Sequence, residues 1–232
     1  MTTNIDPELR RLPVYLVLDC SASMAGAPIE AVKEGVKMLV NDLSREPWAQ
    51  GMVWMSVITF SNTAEESIPL TEITQFPEVN LVASGMTNMG QALNLLASCI
   101  NRDVRMRTSE HRGDYKPVIY LLTDGQPTDS EWEHAAIELQ KRKIESFVAC
   151  AAGNAADVNT LKIITKTVVR LQDATPESLR QFIRWVSQSV LVKSKSAGTS
   201  QILETPALPE CSEFVDNNEG YALNSGGASP SL

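Results

Sequence analysis

The chain has few cysteines, no two of them spaced as CxxC, and it lacks any long apolar run. Its 4 cysteines stand at positions 20, 99, 150 and 211. That spacing argues against a thiolate metal site, and reduced thiols in a cytoplasm are the simplest reading. No stretch approaches the ~18 apolar residues of a spanning helix, and the opening MTTNIDPELRRLP has no signal-peptide core, so a cytoplasmic protein without a membrane span is expected. Positive charge is short as well: 20 Lys+Arg stand against 28 Asp+Glu, a formal charge of −8. Sequence-independent nucleic-acid binding needs the opposite excess, to release counterions, and is not expected. Neither GxGxxG nor GxxxxGK[ST] follows the first apolar run, so no glycine-lined phosphate cradle is visible. There is no GxSxG elbow and no internal repeat. The 43% hydrophobic and 21% charged residues over 232 positions exclude whole-chain disorder and allow one or two domains.

Five short apolar runs are present, at residues 13–18, 53–60, 117–122, 147–152 and 167–171. They lack the in/out alternation of a half-exposed sheet and read as strands buried on both faces. Helical stripes fall between most of them. Ile29, Val32, Val36, Leu39, Val40 and Leu43 mark one buried face, and Met89, Leu93, Leu96 and Ile100 a second. Ala136, Leu139 and Ile144 give a weaker third; Leu179, Phe182, Ile183, Val186 and Val190 give a clear last one. Thr128-Asp129-Ser130-Glu131 reads as a capping box, Thr175-Pro176 as an N-cap with proline at N1, and Pro28 as the opening of the first helix. Strands alternating with amphipathic helices predict a mostly parallel α/β sheet covered on both faces. Residues 64–70 follow their predecessor too closely for a crossover and predict an antiparallel edge strand that tolerates Pro69.

Two segments depart from this pattern. Residues 101–116 are rich in charge and read as a frayed helix end with a surface loop; a solvated connection is the preferred reading, a partner-binding loop the other. Residues 193–232 lack periodicity and read as a mostly disordered tail, with Ile202-Leu203 and Phe214-Val215 its only docking points. The expected organisation is a lead-in over 1–12, a domain over 13–192 and the tail.

The informative residues stand where strands end. The first run leads into Asp19-Cys20-Ser21-Ala22-Ser23, the third into Thr123-Asp124-Gly125, and Ser84-Gly85-Met86-Thr87-Asn88 leads into a helix between them. Ligands in open α/β sheets collect beyond the carboxyl ends of strands, where strand order reverses. If the Asp19 and Asp124 strands are neighbours there, two carboxylates and the hydroxyls of Ser21, Ser23 and Thr87 share one crevice. An all-oxygen set suits a hard cation, Mg²⁺ first and Mn²⁺ or Ca²⁺ next. Such an ion inverts the local sign and lets an acidic protein attract a carboxylate. Each hydroxyl alone is equally explained as a turn or cap residue, and Asp124 as the start of an Asp-Gly turn. Asp129 reads as a cap, Met24, Met86 and Met89 as core or rim, Cys20 as a buried small hydrophobe, and His111 and His134 as surface residues.

Asp19-x-Ser21-x-Ser23, Gly85-x-Thr87-Asn88 and Thr123-Asp124-Gly125, in that order, resemble the metal-ion-dependent adhesion site of von Willebrand factor A domains over roughly residues 10–192. Asp19, Ser21, Ser23, Thr87 and Asp124 fill the family's five metal positions. The resemblance implies a Rossmann-like, six-stranded sheet of order 3-2-1-4-5-6 with one antiparallel edge strand. It also implies a non-enzymatic interaction module that binds an acidic residue of a partner, and a coupling of the metal site to the last helix, about 176–192. Thr-Asp-Gly-Gln-Pro-Thr-Asp at 123–129 is similar to the bacterial TerY/YegL group, which implies a tellurite-resistance or stress system with a protein kinase and a PP2C-type phosphatase as partners. The competing reading is a Mg²⁺-dependent phosphoryl-transfer enzyme using Asp19. Such an enzyme wants a second carboxylate two residues later for proton transfer, and Ser21 stands there.

Overall fold

In the computed structural model, which describes residues 10–109, 112–199 and 203–215, the apolar runs pair into one sheet. Its strands are β1 (Leu12–Asp19), β2 (Val53–Phe60), β3 (Ala64–Glu72), β4 (Val118–Thr123), β5 (Ser146–Ala152), β6 (Thr167–Leu171) and β7 (Ser212–Phe214), in the order β3-β2-β1-β4-β5-β6-β7. The five strands β2, β1, β4, β5 and β6 are mutually parallel, whereas β3 and β7 pair antiparallel at the two edges. The expected six strands are therefore seven, and both edges, not one, run antiparallel.

Every residue of β1 is buried because helices cover both faces. Leu12, Val14, Leu16 and Leu18 face the layer built by α1 (Ala27–Arg45) and α6 (Pro176–Thr199). Tyr15 and Val17 face α3 (Met89–Asp103), α4 (Trp132–Gln140) and α5 (Val158–Ile164). Full burial of side chains such as Tyr15 and Phe60 stabilises by about 1.5–3 kcal/mol each. The four sequence stripes lie on α1, α3, α4 and α6, although α4 ends at Gln140 and leaves Ile144 outside it. The short α2 (Pro47–Met52) and α5 have too few turns to show a period in sequence.

At the β3 edge, the ladder to β2 shifts register between Met55 and Ile58, beside Pro69, which has no N–H to donate. The Ser56 hydroxyl donates to the Ile68 carbonyl at 2.9 Å across this irregularity. At the other edge, the segment read as tail is structured. α6 continues past 192 to Thr199, held by Tyr115, whose hydroxyl donates to the Ala197 carbonyl, and by an ion pair from Lys195 to Glu46. The chain then returns across α6: the Trp185 indole donates to the Pro206 carbonyl, and β7 adds to β6. Phe214 meets the Trp185 ring edge-on and Val215 packs on the opposite layer, so this pair of expected docking residues makes contact, whereas Leu203 is 40% exposed. Ile202 and His111, like residues 1–9 and 216–232, lie outside the described residues.

Two of the three capping expectations hold. Pro28 stands in the first turn of α1, and Thr175 Oγ1 accepts the Ser178 N–H at the start of α6. The capping box does not form: α4 starts at Trp132, and Thr128 and Asp129 are engaged elsewhere.

Candidate metal centre

β1 ends at Asp19 and β4 at Thr123; with Leu18 beside Leu122, the two strands deliver Asp19 and Thr123-Asp124 side by side. From β1 the chain fills one side of the sheet through β2 and β3, then crosses to the other with β4. The two aspartates thus leave the sheet where strand order reverses, the place at which such sheets open a crevice.

Three loops close around that point. Asp19 Oδ1 accepts the Ser21 N–H at 2.8 Å, and Asp19 Oδ2 accepts the Thr123 hydroxyl. The Ser21 and Ser23 hydroxyl oxygens are 3.0 Å apart, and Ser23 donates to Asp124 Oδ1 at 2.7 Å. The loop carrying Thr87 is tied to the first loop where Ala22 N–H donates to the Gly85 carbonyl at 3.0 Å and Ser84 N–H to the Cys20 carbonyl at 2.8 Å. It is tied to the third by a reciprocal pair: Thr87 N–H donates to Thr128 Oγ1, and Thr128 N–H to the Thr87 carbonyl, each at 3.0 Å. Thr87 Oγ1 stands 3.4 Å from the place a Cβ on residue 125 would take, so the hydroxyl faces Gly125 beside Asp124. All five residues singled out in the sequence therefore meet at one end of the sheet.

Sequence reasoning gave the residues that hold these loops other roles or none. Thr123 and Thr128 lie inside the quoted 123–129 run, and Asp129 Oδ2 accepts Gly90 N–H at 2.9 Å, fastening the start of α3. Asn62 had no sequence signal. Its Oδ1 accepts Met86 N–H at 2.9 Å, and its carbonyl accepts the Asn88 side-chain amide. Gly85 has φ +77°, and a Cβ there would meet the Asn62 side chain at 2.6 Å, so this turn requires glycine on two counts. Met24 and Met89 are core residues, whereas Met86 is 55% exposed.

The electrostatics follow from burial. Asp19 is 1% and Asp124 7% exposed, and among the described residues neither enters a salt bridge. Burial pushes the Asp19 carboxyl above its ordinary value; hydrogen bonds from Thr123 and Ser21 oppose the shift, and the charge of Asp124 adds to it. Two buried acids facing one space without a cation are costly unless something positive joins them. The donors are all oxygen, with no imidazole or thiolate, and suit a hard divalent ion. Nucleophilic chemistry fits less well, since both Asp19 oxygens accept hydrogen bonds and Ser21 offers no carboxylate for proton transfer.

The family model of the von Willebrand factor type A domain matches residues 14–184. The chain belongs to this family. Domains of the von Willebrand factor A family are typically metal-dependent protein-interaction modules and generally not enzymes. No curated protein sequence matches the chain. Solved structures share its fold at low identity. The von Willebrand factor type A protein from Catenulispora acidiphila is 18% identical with a TM-score of 0.60, over 79% of this chain and 43% of that one. The pilus adhesin SpaC from Lactobacillus rhamnosus GG is 15% identical with a TM-score of 0.62, over 80% and 30%. Proximal thread matrix protein 1 from the mussel byssus, in a structure with a zinc-occupied MIDAS motif, is 18% identical with a TM-score of 0.56, over 77% and 48%. The chain thus spans less than half the length of each of these proteins. Among the described residues no helix is long and apolar enough to cross a membrane.

Proposed function

We propose that Asp19, Ser21, Ser23, Thr87 and Asp124 hold a divalent cation, Mg²⁺ before Mn²⁺ or Ca²⁺, and that this centre captures an acidic side chain of a partner protein. The observation that carries the reading is the meeting of two buried, unpaired carboxylates with three hydroxyl-bearing residues at the reversal of strand order. The bound ion would supply a Lewis-acidic, positively charged point in an acidic molecule. Asp19 and Asp124 would balance its charge, and the hydroxyls would bring oxygens without adding more. Thr123 and the Ser21 N–H orient Asp19, and Thr128 holds the Thr87 loop. The mussel structure with zinc in its MIDAS motif supports divalent-metal binding in this fold, without naming the ion here.

The finer reading is a cytoplasmic adhesion module of the TerY/YegL kind, in a bacterial tellurite-resistance or stress system with a kinase and a PP2C-type phosphatase as partners. It rests on the 123–129 run and on four free thiols. Co-purification from the native cell with Mg²⁺ present, followed by mass spectrometry, tests it: recovery of neither enzyme removes those partners.

Titrating Mg²⁺, Mn²⁺ and Ca²⁺ into the chelator-treated protein tests the centre itself. At a hundredfold excess over Kd, binding stabilises by about 2.7 kcal/mol, a rise in Tm of roughly 5–10 °C for a domain of this size. Asp19→Ala abolishes the rise, and Thr87→Ala weakens partner capture more than it lowers Tm. A full metal-induced rise in Asp19→Ala overturns the assignment. Metal- and Asp19-dependent hydrolysis of a phosphomonoester would favour the enzyme instead.

A further inference from the structure

At the opposite end of the sheet, before the amino ends of β1, β4 and β5, lies a cleft of about 830 Å³. It is walled by the end of α3, the 104–107 and 112–116 stretches that follow it and the turn between α4 and β5. Arg10, Arg105, Arg107, Arg112, Lys116, Arg142 and Lys143 line it, in a chain whose formal charge is −8. The one acid among its described lining residues, Asp114, is already committed. Its carboxylate accepts two hydrogen bonds from Arg11, at 3.0 and 2.6 Å, and the Arg105 N–H at 2.7 Å.

The cations are set in place. Arg10 donates to the Gly113 and Asp114 carbonyls and lies 4.0 Å over the Tyr115 ring. Arg142 donates to the Glu138 carbonyl, yet its buried Nε has no hydrogen-bond partner. Lys116 reaches Glu145 at 3.9 Å, with both side chains more than half exposed. Ile100 and Val104 give the cleft an apolar floor, and Met106, 70% exposed, an apolar lip. A concentration of like charge maintained inside an acidic protein is unfavourable by itself and complementary to a polyanion.

We propose that this cleft is a second binding site, taking a peptide segment of a partner protein that carries clustered negative charge, as phosphate or as carboxylates. Five of the seven cations lining the cleft are arginines, whose planar forks match both groups. The apolar floor suits side chains flanking the charge. Arg10 covers one face of Tyr115, the aromatic ring at the cleft, and the residue packs against the core, which disfavours base stacking there, so a peptide is favoured over a nucleic acid. The site lies roughly 25 Å from the metal centre, the length of the eight-residue β1, and needs no metal. Its occupant therefore binds without competing with a ligand of the centre.

Fluorescence anisotropy on the full chain tests this with four labelled probes of equal length: a phosphoserine peptide, an Asp/Glu-rich peptide, a neutral peptide, and a single-stranded oligonucleotide. The expected result is that one or both anionic peptides bind at least tenfold tighter than the neutral one, the tighter identifying the source of charge. Binding weakens as salt is raised. Combining Arg107→Ala, Arg112→Ala and Lys143→Ala, all exposed positions, weakens it about tenfold, in line with a few tenths to one kcal/mol per exposed charge pair. Circular dichroism and Tm of that variant stay unchanged, and chelator and Asp19→Ala leave peptide binding intact. No binding, equal binding of the neutral peptide, an unaffected triple variant, tighter oligonucleotide binding, or loss with chelator would each overturn the proposal.

Discussion

Cys20 and Cys99 lie in the two core layers, and burial pushes both thiols up to about 12. Cys150 is fully buried and shifted the same way, whereas Cys211 is partly exposed on the returning segment, its thiol donating to Gln181. Thiolate supply and access together set reactivity. Alkylation of the folded protein near pH 7.5 is expected to mark Cys211 at least tenfold faster than the other three, read by peptide mass spectrometry; comparable labelling of Cys20 would contradict the burial. The same scale separates what residue identity reveals from what it conceals. Asp19, Ser21, Ser23, Thr87 and Asp124 stand out only as a set, since singly the hydroxyls and Asp124 have ordinary turn or cap explanations. Asn62 does not, because an asparagine in a turn has an ordinary local explanation. Only the fold shows it gripping Met86 and Asn88.

Between elements, the most extensive helix contact is α1 against α6, where a Cβ on Gly35 would lie 2.6 Å from Ile183 Cδ1 and 3.1 Å from its Cβ. Gly35→Ala is expected to destabilise by about 1–3 kcal/mol, as overpacking does, seen as a lower denaturation midpoint at unchanged m-value. Ile183→Ala costs stability alone but less in the Gly35→Ala background, a coupling a double-mutant cycle measures. Simple additivity would place the strain elsewhere. The stripes that identify α1, α3 and α6 are strong because one face of each helix meets the sheet along several turns. The same rule stops short at residue 192: Lys193-Ser194-Lys195-Ser196 has no apolar period, and what continues α6 is contact with Tyr115, Glu46 and Trp48.

For the molecule as a whole, the returning segment closes what would otherwise be an open edge. Truncation after Thr199 removes β7, the partner of the Trp185 indole and the Phe214 ring, and bares β6. With several hydrogen bonds lost at about 1 kcal/mol each, a stability loss of roughly 2–4 kcal/mol is expected. A new edge favours association, so light scattering on heating should rise earlier; unchanged melting and scattering would show β7 to be dispensable. Local patterning was enough to establish the alternation of strands and helices and the antiparallel β3 edge, and to single out the five oxygen-bearing residues at segment ends, because each such feature depends on neighbours within a few positions. The seventh strand, the continuation of α6, the missing capping box and the basic cleft depended on distant partners. A charged loop and a Ser/Gly/Pro-rich segment look solvated until the sheet brings Arg11 to Asp114 and β6 to β7. Backbone hydrogen bonds and ion pairs between segments tens of residues or more apart leave no periodic trace in the chain, and burial, which decides their strength, exists only after folding.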